Sequence, residues 1–245
     1  MIGPVFVLRF VAIALLLTSL TACAALGVRG APSADDAAKI SRVGVISLLG
    51  NNFHGVSIGT TIFNNEYFEG NVPEWEIDRF AESRILELLG SNPRLTVARF
   101  EYKPTLEDGL ISKEGAKKFF AEAKKQAFDT LVVVDPSGYD NAPHLKPGYG
   151  LFDRSFLGAE VSRCTYSLFI VEVLDVQSEK RTGWQWSFDP WTGHPCQGET
   201  SVAWKGSFDQ YTSQERDEFR RLVEKETSDG VRIALVKLNL LPKGE

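Results

Sequence analysis

Residues 55–59 read Gly-Val-Ser-Ile-Gly, which matches the G-x-S-x-G pattern of a nucleophile elbow. In that arrangement a sharp turn between a strand and a helix exposes the serine hydroxyl, and a histidine and an acid later in the chain activate it. His144, His194 and Asp135 are available for those roles. The residues after the motif, Thr-Thr-Ile-Phe, are typical of a strand, however, and not of the required helix. Ser57 is therefore a candidate nucleophile in an alternative hypothesis, since glycines around the start of a strand explain the same letters.

The sequence His194-Pro195-Cys196 offers two side chains that can bind a metal ion. A zinc site needs three or four ligands, and His54 and His144 are isolated in the sequence. We therefore expect no metal centre and no cofactor.

Aromatic side chains in the second half of the chain could stack on sugar rings or dock a protein. Trp184, Trp186 and Phe188 alternate with the period of a strand, and we expect this stripe to be core beneath the carboxy-terminal helix. Residues 136–160 contain three prolines and four glycines without periodicity, which predicts a long loop of the kind that often has a function. The candidate binding surface consists of four aromatic residues of this loop and one of the next loop: Tyr139, Tyr149, Phe152, Phe156 and Trp191.

Hydrophobic patterning predicts an α/β (α+β) fold with a single sheet of about five to seven strands and packed helices. The clearest buried strand is Thr130–Asp135 (TLVVVD), and Thr212-x-x-Glu215 is a capping box that opens a carboxy-terminal helix. Gly230 either breaks that helix or only weakens it. The other predicted elements are strands at 42–49, 56–68, 95–102, 161–176 and 182–188, and helices at 74–90 and after Ser112.

The last two of these strands are predicted to form a long antiparallel hairpin. If Glu179-Lys180 are the turn residues, Val173 pairs with Trp186, and Cys164 lies opposite position 195. A one-residue bulge near Pro195 would bring Cys164 to Cys196, so we expect a disulfide between them in an exported domain.

The amino terminus carries a targeting signal. Residues 4–20 form a largely apolar run with one charge, Arg9, and the run ends in Leu20-Thr21-Ala22-Cys23. This resembles the lipobox of bacterial lipoproteins, a family in which the cysteine receives a diacylglycerol and becomes the first mature residue. The resemblance implies lipid attachment at Cys23 and membrane anchoring without a spanning helix. Because Ala24 is not aspartate, the family's sorting rule in enteric bacteria favours the outer membrane, with the domain on the periplasmic face.

Three segments follow from this reading: a signal peptide at 1–22, a flexible tether at 23–39 and a single periplasmic domain at 40–245. The chain has a net charge of −5 and no block of Lys and Arg, which argues against nucleic acid as a partner.

We expect a lipid-anchored lipoprotein without catalytic activity, which binds another envelope protein or a cell-wall glycan through the 136–160 loop and the adjacent hairpin end. The order of elements is similar to that of periplasmic α/β domains in envelope assemblies, such as the amino-terminal domain of the Tol-system propeller protein, and no functional residue is carried over. The alternatives are a lipid-anchored serine hydrolase with Ser57 as nucleophile, and a structural lipoprotein without a specific partner.

Overall fold

The computed structural model describes residues 30–102, 106–107, 110–111, 113–157, 159–188 and 196–242. In these residues the chain forms one sheet of nine strands, a separate two-stranded hairpin and four α-helices. The predicted α/β class is confirmed, but the sheet has more strands than the predicted five to seven. The strands are β1 (Arg42–Ser47), β2 (Asn52–Ile58), β3 (Glu66–Asn71), β4 (Thr96–Arg99), β5 (Leu106–Glu107), β6 (Leu110–Ile111), β7 (Thr130–Pro136), β8 (Gly148–Phe156), β9 (Ala159–Asp175), β10 (Lys180–Trp186) and β11 (Cys196–Glu199). The helices are α1 (Ala34–Lys39), α2 (Ile77–Gly90), α3 (Lys113–Lys125) and α4 (Ser213–Lys237).

The 17-residue strand β9 is the centre of the sheet. Its first half pairs with β8 and with β11, and its second half pairs with β7 and with β10. Beyond β7 follow β1 and β4, and beyond β8 follow β2 and β3, so that β3 and β4 end the two branches of the sheet. The strand count exceeds the prediction because a turn divides the predicted strand at 56–68 into β2 and β3, and because β8 and β11 lie in segments that the sequence does not predict as strands.

Helices cover both faces of the sheet. The larger core joins α2 and α4 to one face, and a second core joins α3 to the other face beneath β1 and β7. The capping box that opens α4 is confirmed: the amide of Thr212 donates to Glu215 Oε2 at 2.8 Å, and the amide of Glu215 donates to Thr212 Oγ1 at 3.3 Å.

Helix α4 runs for 25 residues without a break at Gly230. A Cβ at this position would lie 2.8 Å from the carbonyl oxygen of Ser187 and 3.0 Å from the ring of Phe169. Gly230 is therefore required for close approach of the helix to the sheet, and this contact outweighs its low helix propensity.

The chain packs against the domain before Ile40, where we expected a flexible tether. Gly30 forms a β-bridge with Trp184 of β10. Ser33 caps α1, because its Oγ accepts a hydrogen bond from the amide of Asp36 at 3.1 Å. The tether expected at 23–39 is therefore folded from Gly30 onward, and residues 23–29 lie outside the described residues.

The β9–β10 hairpin exists, but its predicted register is wrong. Lys180 pairs with Asp175, so that the connection has four residues in place of two, and Trp186 faces Ile170 and not Val173. The amide of Ser178 donates to Asp175 Oδ1 at 2.6 Å within this connection, and Val176 is fully buried against the α3 side of the sheet. Val176 is buried and does not pair in the β9–β10 ladder. The alternation of apolar and polar residues in the sequence could not indicate this.

The long loop predicted at 136–160 is also wrong. Only residues 137–147 connect two strands, because residues 148–156 form β8, which is paired on both sides by β2 and β9. The glycines of this segment had suggested a loop, but Gly150 lies where the backbone of His54 crosses too closely for a Cβ.

None of the helices in the described residues is long and apolar enough to cross a membrane.

Candidate functional site

Ser57 lies inside β2 and not on a turn between a strand and a helix. Its side chain is buried, and Oγ donates to Asp153 Oδ2 at 3.0 Å, so the hydroxyl is bonded to an acid and not to the histidine base that a nucleophile elbow requires. Both glycines of the motif have packing roles: a Cβ at Gly55 would overlap the ring of Phe68, and one at Gly59 would overlap Asn64. The structure therefore lacks the geometry of a nucleophile elbow at Ser57.

The predicted aromatic surface is mostly core. Tyr149 and Phe152 lie on β8 and are 0% and 5% exposed, because β8 is an inner strand. Tyr139 is half-buried, with its ring 5.5 Å from that of Trp186. Phe156 alone is exposed as predicted, and Trp191 lies outside the described residues.

The stripe of Trp184, Trp186 and Phe188 is partly or fully buried, as expected. It packs against Tyr139 from the 137–147 segment, however, and Trp186 and Phe188 belong to a cluster separate from that of the carboxy-terminal helix. The residues that cover the stripe differ from the predicted ones, because the hairpin register decides toward which face of the sheet the three aromatic side chains project.

The predicted disulfide between Cys164 and Cys196 is present, with the Cα atoms 5.6 Å apart. It ties β11 to β9 where Glu199 pairs with Cys164. Cys23, the predicted lipid attachment site, lies outside the described residues. In the described ranges no group of three or more His, Cys, Asp or Glu side chains is arranged to hold a metal ion.

A crevice of about 290 Å³ lies at the carboxyl ends of β1 and β4. Ligands often bind at this place in open α/β sheets, where neighbouring strands connect to helices on opposite faces. Two of the acids that line it are bonded to neighbouring residues of the domain, however. Asp78 accepts a hydrogen bond from Ser47 Oγ at 2.7 Å, and Glu82 Oε2 lies 3.2 Å from Arg99 Nε. Burial raises the pKa of Glu82, although the amide of Ser47 donates to it. These contacts fasten α2 to the end of β1, so the two acids serve the packing of the helix.

The exposed apolar side chains point to a different region. Outside β5 and β6, every large hydrophobic residue that is exposed in the described ranges lies at one end of the sheet, on the β2–β3 and β8–β9 connections and the strand residues beside them. We call this surface the apolar tip; it consists of Ile62, Phe63, Tyr67, Phe156, Leu157 and Val161. Phe63 is 91% exposed and Leu157 is 78% exposed. Such clustering of apolar residues on a surface marks an interaction site.

The two connections are neighbours because β2 and β8 are parallel and end side by side, with Ile58 paired to Arg154. The amide of Leu157 donates to Thr60 Oγ1 at 2.7 Å, which joins one turn to the other. The apolar tip is therefore a single surface and not two separate loops.

A buried ion pair supports the hairpin that carries Phe156 and Leu157. Asp153 accepts hydrogen bonds from Arg163 Nε at 2.8 Å and from the Ser57 hydroxyl at 3.0 Å. Arg163 also pairs with Glu160 at 2.8 Å. Ser57 thus contributes to the position of the tip as a structural residue.

Leu157 adopts a left-handed backbone conformation, with φ of 50°. This conformation costs a bulky residue about 1 kcal/mol, whereas asparagine adopts it readily. We expect Leu157→Asn to raise the free energy of unfolding by about 1 kcal/mol, measured by urea denaturation. Phe156→Ser, which removes an exposed side chain beside it without a left-handed backbone, serves as the control and should give no such gain. A less stable Leu157→Asn variant would contradict this reading of the turn.

Sequence reasoning missed most of the apolar tip. Ile62 and Phe63 precede Asn64-Asn65 and had been assigned to a strand, and Leu157 precedes a glycine in the segment taken as a loop. A large apolar residue directly beside a turn signal was the available indication, and it does not by itself distinguish a surface from a core.

Comparison with protein-family models, with curated protein sequences and with solved structures gives no match.

Proposed function

We propose that this chain is an outer-membrane lipoprotein, anchored through lipid on Cys23, whose periplasmic domain binds another envelope protein through the apolar tip. The observation that carries the proposal is the confinement of the large exposed hydrophobic side chains to that one surface, among the described residues outside β5 and β6. Binding without catalysis fits the site, because Ser57 is buried and engaged with Asp153.

The position of the anchor supports a protein partner. Gly30 is bridged to Trp184, which pairs with Glu172, and the stretch of β9 from Glu172 to Ala159 is about 40 Å long. The chain from Cys23 to Gly30 reaches at most about 25 Å. The lipid-bearing cysteine therefore cannot reach the apolar tip, and a domain that stands upright on this short connection presents the tip away from the membrane.

The charge near the tip also favours a protein over a lipid surface. Residues 59–69 and 154–163 contain three acids and no lysine, and one of their two arginines, Arg163, is paired with Asp153 and Glu160. Lys146 lies beside Tyr67, where Glu69 supplies a neighbouring negative charge. Surfaces that bind anionic lipids are instead rich in Lys and Arg.

The test is cross-linking in cells that make the full chain, with a photoreactive amino acid at Phe63 or at Leu157. We expect both positions to capture the same envelope protein, and the exposed position Lys117 on α3 to capture none. A variant with Phe63→Ser and a cross-linker at Leu157 should give at least tenfold less product, because the apolar contact is lost. In the Cys23→Ala variant the chain should leave the membrane fraction.

Recovery of lipid adducts alone, or of the same proteins from Lys117 as from the tip, would overturn the binding proposal. Retention of Cys23→Ala in the membrane fraction would overturn the anchor.

A further inference from the structure

We infer that the free edge of β3 accepts an extended segment of the partner as an additional strand, beside the apolar tip. This inference rests on the proposed function and specifies how the partner is bound. Strand addition to a sheet edge gives affinity through backbone hydrogen bonds and specificity through alternate side chains.

The hydrogen bond between the amide of Val72 and the carbonyl of Asn51, at 2.8 Å, fixes which groups of β3 are available. In an antiparallel pair, alternate residues bond to the neighbouring strand. The backbone N–H and C=O groups of Phe68 and Gly70 therefore point toward β2. The same groups of Tyr67, Glu69 and Asn71 point toward the open edge.

This edge is open in the described part of the chain. β3 pairs only with β2 and ends its branch of the sheet. Tyr67, Glu69 and Asn71 are all exposed, and their backbone groups make no hydrogen bond to any described residue outside the β2–β3 ladder. Proteins usually protect such an edge with charged side chains, proline or a bulge. β3 has no proline and no bulge, and its two charged residues, Glu66 and Glu69, are acids that a basic segment would complement.

The edge is held rigidly from behind. The ring of Phe68 lies 4.9 Å from that of Trp204, and Trp204 Nε1 donates to Glu66 Oε2 at 2.6 Å. Gly70 has the ring of Phe208 against its Cα, where a Cβ would not fit. A preformed strand lowers the ordering cost of binding.

The side chains of the edge indicate the chemistry of the partner. Tyr67 and Glu69 are two residues apart and therefore project from the same face of β3. Glu69 Oε1 lies 3.3 Å from His54 Nδ1, and Glu69 remains largely exposed. The complementary segment has an apolar residue opposite Tyr67 and a Lys or Arg opposite Glu69, two positions along.

A second copy of this chain is disfavoured in one register. Two-fold antiparallel pairing of β3 with itself about Glu69 would place two carboxylates directly opposite each other, which is destabilising. The exposed carboxylate of Glu69 instead favours a basic segment of the envelope partner as the occupant.

The test compares Glu69→Pro with Glu69→Thr, each in the full chain with the photoreactive residue at Phe63. Proline removes only the outward N–H and is tolerated on an edge strand, whereas threonine removes the same side chain and keeps the N–H. We expect Glu69→Pro to reduce the cross-linked product at least tenfold and Glu69→Thr to retain more than a third of it. The pair Asn71→Pro and Asn71→Thr repeats the comparison at the next outward position, and urea denaturation of the purified variants verifies folding.

Undiminished product in folded Glu69→Pro and Asn71→Pro would overturn strand addition, and the proposed function would stand as long as Phe63→Ser still abolishes capture at Leu157. Equal losses in the proline and threonine variants would also overturn it, because the side chains alone would then explain binding. Capture of a second copy of this chain would overturn the choice of partner.

Discussion

Replacement of Glu226 by glutamine is expected to stabilise the protein at pH 8 and to flatten the pH dependence of its unfolding. Glu226 lies on the sheet-facing side of α4 and is 7% exposed. Its Oε1 accepts a hydrogen bond from Thr165 Oγ1 at 2.9 Å. Its Oε2 is buried without a hydrogen-bond partner in the described residues. Burial raises the pKa of Glu226 to about 8, although hydrogen bonds from Thr165 and Gly198 act in the opposite direction.

The sign of the effect follows from proton binding. Between the ordinary carboxyl pKa of 4.5 and the raised value near 8, the folded protein holds a proton that the unfolded chain releases. The stabilisation is therefore complete below pH 4.5 and is lost as the pH rises through 8. Asp135, whose pKa burial raises to about 7, contributes with the same sign in both proteins.

The measurement is urea denaturation of both proteins at intervals from pH 5 to pH 9. The difference in the free energy of unfolding should grow with pH in favour of Glu226→Gln, by at most about 1.4 kcal/mol per pH unit, and should level off above pH 8. Asp217→Asn, at an exposed acid on the same helix, is the matched control and should follow the wild type. Parallel profiles for wild type and Glu226→Gln would contradict the burial of a protonated acid at this position.

Removal of the disulfide is the second change with a large expected effect. Replacing Cys164 and Cys196 by alanine should lower the free energy of unfolding by about 4 kcal/mol, because the bond closes a loop of 32 residues in the unfolded chain. Thiol titration of the unfolded protein, purified without reductant, should find neither Cys164 nor Cys196 free. Two free thiols at these positions, or an unchanged denaturation midpoint in the double variant, would contradict the bond.

The disulfide and Glu226 are expected to be coupled. β11 carries both Cys196 and Gly198, and the carboxylate of Glu226 lies where a Cβ on Gly198 would be. Loosening β11 should admit water to Glu226 and return its pKa toward the ordinary value. The benefit of Glu226→Gln at pH 8 should therefore shrink when the two cysteines are also replaced, and a double-mutant cycle measures this difference.

Local patterns in the sequence were sufficient for several elements. The apolar run at 130–135 predicts β7, and the capping box at Thr212 predicts the start of α4, because each depends on neighbouring residues alone. The disulfide was also predicted correctly, although the register used to derive it was wrong. Strands β9 and β11 bring Cys164 and Cys196 together through a different set of pairs, with Glu199 opposite Cys164.

Sequence alone established the α/β class, the positions of most helices and strands, and a lipobox-like segment that remains a prediction. These features depend on periodicity and short motifs, which the chain encodes within a few residues. Tertiary structure decided which aromatic residues are buried and which apolar residues form the tip. Tyr149 is core because β2 and β9 flank its strand, and Phe63 is exposed because no described element covers its turn. The burial of a segment depends on residues distant in sequence that pack beside it, and the sequence of the segment does not indicate which residues these are.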